Sequence, residues 1–199
     1  ARQEYEKFLK RLESDEEFAK VGAKHATHVR TQLVGLLRKE GNPEDAMKQV
    51  EVLIKAYPTA LQPLMEKGLI LQAWAEKDAT QYDKAIAHWT DLRGRLQTMR
   101  KKPPQLYEVI LHLAECLYGQ ATKLSDKDKA AAKKGAEDAE KLLKSTLTLY
   151  ASLGGSGWLR GQYEILLDKT IVFQGRTPEK RAAPAAKPAD TPKPAEAAK

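Results

Sequence analysis

Cysteine is almost absent from this 199-residue chain, in which Cys116 stands alone. An intrachain disulfide is therefore excluded, as is a zinc site built from several cysteines. Long apolar runs are missing too. Stretches such as Leu69-Ile70-Leu71 fall far short of the ~20 residues that a membrane-spanning helix needs. No segment alternates apolar and polar residues between hairpin turns, which predicts little or no sheet. The chain has no signal-peptide pattern and opens at Ala1-Arg2-Gln3 without a methionine. That opening suits a processed protein or a piece of a longer one, and it leaves the compartment open between cytoplasm and export.

What is present points to a soluble globular chain of one domain. Hydrophobic residues make up 42% and charged residues 31%, with a formal net charge of +7. Part of that charge sits in the last segment, Arg176 to Lys199, which holds six basic and three acidic residues. The remaining +4 is spread among mixed charges and is not the footprint of a nucleic-acid binder. Residues 176–199 also hold five prolines and no aromatic, valine, leucine or isoleucine. They have too little apolar surface to offset the entropy of ordering, so a disordered Ala/Pro/Lys-rich tail is expected, a solvated spacer or linker.

Residues 1–175 carry helical periodicity almost throughout. Ala46, Val50, Leu53, Ile54 and Tyr57 follow steps of 4, 3, 1 and 3, and Leu106, Ile110, Leu113, Ala114 and Leu117 repeat them. Proline and glycine punctuate the chain at Gly41-Asn42-Pro43, Pro58, Pro103-Pro104 and Gly154-Gly155-Ser156-Gly157. Pro43 suits a first helical turn behind an Asn42 cap, and Pro58 disfavours helix at Tyr57. Ser125, with Asp128 three residues on, offers a capping box. Eight helices are predicted at 2–12, 15–39, 43–56, 61–78, 80–101, 105–123, 127–152 and 156–173, the first two readable as one bent helix.

Helices in pairs with short turns suggest a repeat array. In Tyr82-Asp83-Lys84-Ala85-Ile86-Ala87-His88-Trp89, an aromatic and an acid precede Ala-x3-aromatic. The helix before it carries Leu64, Gly68 and Leu71, a large-x3-small-x2-large pattern. Ala46 and Val50 repeat the small-x3-large step, with Pro58 twelve residues after Ala46. Ala114 with Leu117, then Ala139 with Leu143, give a weaker third pair. These features resemble the tetratricopeptide repeat (TPR) family, in which small residues let paired helices approach. The departures are in spacing, since Ala46 to Ala85 is 39 residues and Ala85 to Ala139 is 54. The first-helix tryptophan of the family is also missing, with Trp74 elsewhere. An up-down bundle fits the same helix-pair pattern. The resemblance implies an all-α fold of antiparallel helix pairs stacked as a right-handed α-solenoid, its last helix from Trp158 to Phe173 covering the end of the stack.

Chemistry-bearing residues are sparse. His25 and His28 share a helix face without an acid to complete a metal site. His112 and Cys116 are four apart, but a lone helical cysteine is usually a small buried hydrophobe. The glycine-rich stretch at 154–157 lacks the preceding strand and the Gly-Lys-Ser/Thr of a phosphate loop. Arg93, Arg95, Arg100, Lys101 and Lys102 crowd one helix end, where cations suit the helix dipole. No catalytic triad order, paired-carboxylate motif or cofactor fingerprint stands out, so a non-enzyme without cofactor or metal is expected.

By the resemblance, the first helix of each pair lines a concave groove for a peptide segment of a partner protein. The groove positions would be His28, Thr31, Arg38 and Lys39, then Gln62, Met65 and Gln72, then Glu108, Glu115 and Tyr118. Arg38 and Lys39 would form a cationic end, and Glu108 and Glu115 an acidic one. The alternative is a set of structural repeats from a longer scaffold with no ligand of their own; an all-α nucleic-acid binder or enzyme ranks behind both.

Overall fold

A computed structural model describes residues 1–179. The expected disordered tail therefore lies outside the described residues from position 180 onward. Among the described residues there are eight α-helices and no strand. They are α1 (Arg2–Ser14), α2 (Glu16–Lys39), α3 (Pro43–Ala56), α4 (Leu61–Lys77), α5 (Tyr82–Thr98), α6 (Gln105–Leu124), α7 (Lys129–Leu149) and α8 (Gly157–Phe173). Single 3-10 turns precede α5 and α8, at Ala79–Gln81 and Leu153–Gly155.

Local chemistry accounts for the breaks. Asp15 adopts an extended conformation and accepts a hydrogen bond from the Phe18 amide, so α1 and α2 are two helices and not one bent one. The Asn42 side chain caps α3 by accepting from the Asp45 amide, with Pro43 in the first turn. Several boundaries differ from the periodicity, among them the end of α7 at Leu149 and not at 152, and three of the differences have a visible cause. The Asp78 carboxylate binds the Thr80 amide and hydroxyl, which holds residues 79–81 in a tight turn and delays α5 to Tyr82. The far end of α5 stops at Thr98, where the Lys102 ammonium donates to the carbonyls of Gln97 and Met99. Asp128, not Ser125, caps α7 by accepting from the Ala131 amide; Ser125 instead donates its hydroxyl to the Thr122 carbonyl at the end of α6.

Each helix packs against the next, and α2 touches α4, α4 touches α6, and α6 touches α8. The core falls into two clusters bridged by α4. Leu9, Leu33, Val34, Leu37, Ala46, Val50, Leu53 and Ile70 make the first. The second gathers Met65, Leu71, Ala85, Trp89, Leu106, Ile110, Ala139, Leu143, Tyr163 and their neighbours. At its centre, fully buried Trp89 lies across Gly68, where a Cβ would overlap the indole. Close approach of α4 and α5 depends on that missing side chain. The buried Tyr163 hydroxyl ties α8 to α6 by donating to the Tyr107 carbonyl at 2.6 Å.

Candidate functional site

Helices α2, α4 and α6, of which α2 touches α4 and α4 touches α6, carry the residues expected to line a groove. One hollow lies between α4, α6 and α8, a cavity of about 260 Å³ lined by Gln72, Glu76, Tyr82, Glu115, Tyr118, Gly119, Gln162, Ile165, Leu166 and Lys169. A second hollow of about 440 Å³ lies between the starts of α4 and α6, lined by Leu61, Gln62, Met65, Glu66, Leu69, Gln105 and Glu108. Six of the ten expected positions are thus gathered in two hollows: Gln72, Glu115 and Tyr118 in the first, and Gln62, Met65 and Glu108 in the second.

The remaining four lie on α2. His28 and Lys39 are exposed, and Thr31 donates its hydroxyl to the Thr27 carbonyl on its own helix. Arg38 is not a free cation. Its Nε faces Glu66 Oε2 of α4 at 3.4 Å, and both groups are largely buried. The cationic end expected from Arg38 with Lys39 is therefore reduced to Lys39. Met65 also differs from expectation, since it is 8% exposed and belongs to the core as much as to the hollow.

Glu115 is the electrostatic centre of the first hollow. Its Oε2 accepts from Gln72 Nε2 at 2.8 Å, across from α4, and faces His112 Nδ1 at 2.9 Å one helical turn away. Burial pushes its carboxyl upward, but the His112 and Gln72 contacts outweigh that and hold it below the ordinary glutamate value. The site therefore presents an ionised carboxylate with Gln72 Oε1 buried beside it and without a hydrogen-bond partner. Lys169 and Gln162 of α8 line the same hollow, and the Tyr118 ring packs edge-on against Phe173. Such an arrangement offers hydrogen-bond donors and acceptors around an apolar floor, suited to reversible binding.

Sequence reasoning missed Glu66, Gln162 and Lys169, and set His112 beside Cys116 and not beside Glu115. The three-residue spacing of His112 and Glu115 was readable as a helix-face pair, whereas the partners on α4 and α8 depend on packing. Also missed was Glu140, a 7% exposed acid in the alanine stripe of α7. It pairs with Lys144 at 2.8 Å and accepts hydrogen bonds from Gln174 and Arg176. Burial pushes its carboxyl upward, yet these three partners bring it down to about 2. It lines a hollow of about 720 Å³ with Lys129, Lys133, Phe173 and Arg176.

Cys116 is fully buried, and burial pushes its thiol up to about 12, the opposite of an activated nucleophile. Its expected neighbour His112 instead faces Glu115 and stacks on Trp89 at 5.0 Å. Among the described residues no group of three or more His, Cys, Asp or Glu is placed to hold a metal ion, and no helix is long and apolar enough to cross a membrane. No family model, curated protein or solved structure matches this chain.

Proposed function

We propose that the helices form a TPR-like right-handed α-solenoid that binds an extended peptide segment of a partner protein along the face of α2, α4, α6 and α8. The observation that carries this reading is the succession of contacts from α2 to α4, α4 to α6 and α6 to α8. Alternate helices that touch in sequence share one face, which is how a helical-repeat array creates an extended binding surface. The Gly68–Trp89 contact supports the TPR-like pairing of α4 with α5, because a small residue there admits a large one from the partner helix. The hollow around Glu115 supplies the polar anchors. Gln72, Gln162, Tyr118 and Lys169 have the hydrogen-bonding groups to engage the backbone of an extended ligand.

A second reading has a specific observation in its favour. Arg38 with Glu66, and Gln72 with Glu115, join neighbouring helices, so these side chains have a structural task in scaffold repeats without a ligand. Selection of peptides from a random display library against the full chain separates the two. A binding module yields peptides whose affinity falls at least tenfold in Gln162→Ala with Tyr118→Phe, both outside the Arg38–Glu66 and Gln72–Glu115 pairs and the second keeping its ring on Phe173. A pure scaffold yields no peptide sensitive to that double variant.

A further inference from the structure

The connections at the two ends of the helices differ in charge. Lys77 of α4 donates to the Gly41 carbonyl, and Gln120 of α6 donates to Asp83 of α5, so residues 40–42, 78–81 and 125–128 join helices at one end. They hold four acids, Glu40, Asp78, Asp126 and Asp128, and one cation, Lys127. The connections at the other end, 57–60, 99–104 and 150–156, hold three cations and no acid. Two of these lie together. A Cβ on Gly154 would meet Tyr107 and Pro104 at 3.5 and 3.6 Å, and the rings of Tyr107 and Tyr150 are 5.3 Å apart. Their flanks are alike, since no acid occurs from 92 to 107 or from 141 to 163. Arg100 and Lys101 are exposed and have no ion pair among the described residues, while Lys102 covers the Gln97 and Met99 carbonyls at the negative end of α5. Three large apolar side chains border the same two connections. Met99, Leu149 and Trp158 are 48%, 72% and 69% exposed.

We propose that this end of the molecule docks on the surface of an anionic phospholipid bilayer, with Arg100 and Lys101 against acidic headgroups and Met99, Leu149 and Trp158 in the interfacial layer. Charge complementarity selects the occupant. A leaflet rich in acidic lipid attracts basic segments, and the burial of apolar side chains adds to that attraction. Tryptophan in particular favours the boundary between headgroups and acyl chains. A single-stranded nucleic acid would meet the same cations, but it stacks successive bases on several aromatic side chains. Here the exposed apolar set is one indole, one leucine and one methionine. Among the described residues no helix is long and apolar enough to cross a membrane, so the association is peripheral and reversible. None of these five residues lines either hollow assigned to a peptide, so this proposal does not rest on that reading.

The test is sedimentation of the full chain with sucrose-loaded vesicles of phosphatidylcholine, alone or with about 30% phosphatidylserine. Wild type sediments with the acidic vesicles at about 0.1 M salt, is released at about 0.5 M, and stays in solution with phosphatidylcholine alone. Arg100→Glu with Lys101→Glu lowers the partition coefficient by about tenfold or more. Trp158→Ser, which leaves the charge unchanged, lowers it by about threefold or more. Lys123→Glu with Lys127→Glu makes the same charge change at the opposite end and keeps partitioning within about twofold of wild type. All five positions are exposed, so the helical spectrum and melting of each variant stay close to wild type. Equal loss in the two double variants would assign binding to net charge and not to this end, and partitioning indifferent to Trp158→Ser would remove the interfacial contact; either overturns the proposal. So does absence of binding to the acidic vesicles, and capture of a labelled oligothymidylate in their place would assign this end to nucleic acid.

Discussion

A methyl group added at Gly68 is expected to destabilise the protein, although alanine is the better helix former. Gly68 lies in α4 directly beneath the Trp89 indole, and a Cβ there would overlap the ring. Trp89 cannot easily yield, being fully buried and stacked on His112 at 5.0 Å. Overpacking costs ~1–3 kcal/mol, and two ring atoms 2.4 Å from the added Cβ place this contact in the upper half, ~2–3 kcal/mol. The propensity gain of alanine over glycine returns about 1 kcal/mol. A net loss of about 1–2 kcal/mol is expected for Gly68→Ala, measured by urea unfolding followed by far-UV circular dichroism. The sign should reverse once the ring is gone. In a Trp89→Leu background, which is itself destabilised, Gly68→Ala should be neutral or stabilising by up to ~1 kcal/mol. A neutral or stabilising Gly68→Ala in the wild-type background would refute the close approach of α4 and α5.

Three further expectations concern single residues. Ala85→Leu should destabilise more than His88→Ala, since Ala85 is fully enclosed and overpacking costs ~1–3 kcal/mol, whereas His88 is half-buried with one bond to the Leu64 carbonyl; equal melting would contradict the helix register. Glu140, held near 2 in the folded state against 4.5 in the unfolded chain, contributes stability that is full above about pH 5 and lost as pH falls toward 2. Glu140→Gln should remove about 1–2 kcal/mol at pH 7 and flatten that acid dependence, the figure being reduced because Lys144 and Arg176 are half-exposed; an unchanged acid-unfolding profile would speak against the pairing. Cys116 should react with a thiol reagent at neutral pH only after denaturation, because its sulfur is enclosed and its thiolate disfavoured; rapid labelling of the native protein would contradict its burial.

Helix identity was legible in the sequence because its causes are local. The step pattern of Ala46, Val50 and Leu53, the Asn42-Pro43 start and the Pro58 stop all act within one or two turns, and α3 spans Pro43–Ala56 as expected. Caps were less legible where two candidates competed. Ser125 and Asp128 can each cap a helix, and the choice went to the carboxylate because Ser125 is drawn to the Thr122 carbonyl. The hollow was legible as a face but not as a chemistry. Gln72 and Glu115 are 43 residues apart, and Arg38 and Glu66 are 28 apart, so their pairing depends on how α2, α4 and α6 pack.

We propose that an extended peptide lies along α2, α4, α6 and α8. Photocross-linking tests this most directly, with a benzophenone amino acid replacing Tyr118 in the hollow or, as control, the exposed Lys141 of α7. Each protein is irradiated with a peptide selected against the full wild-type chain. Efficient cross-linking is expected from position 118, suppressed by excess unlabelled peptide, and little from position 141. Equal cross-linking from both positions, or none from 118 while the peptide still binds, would contradict it.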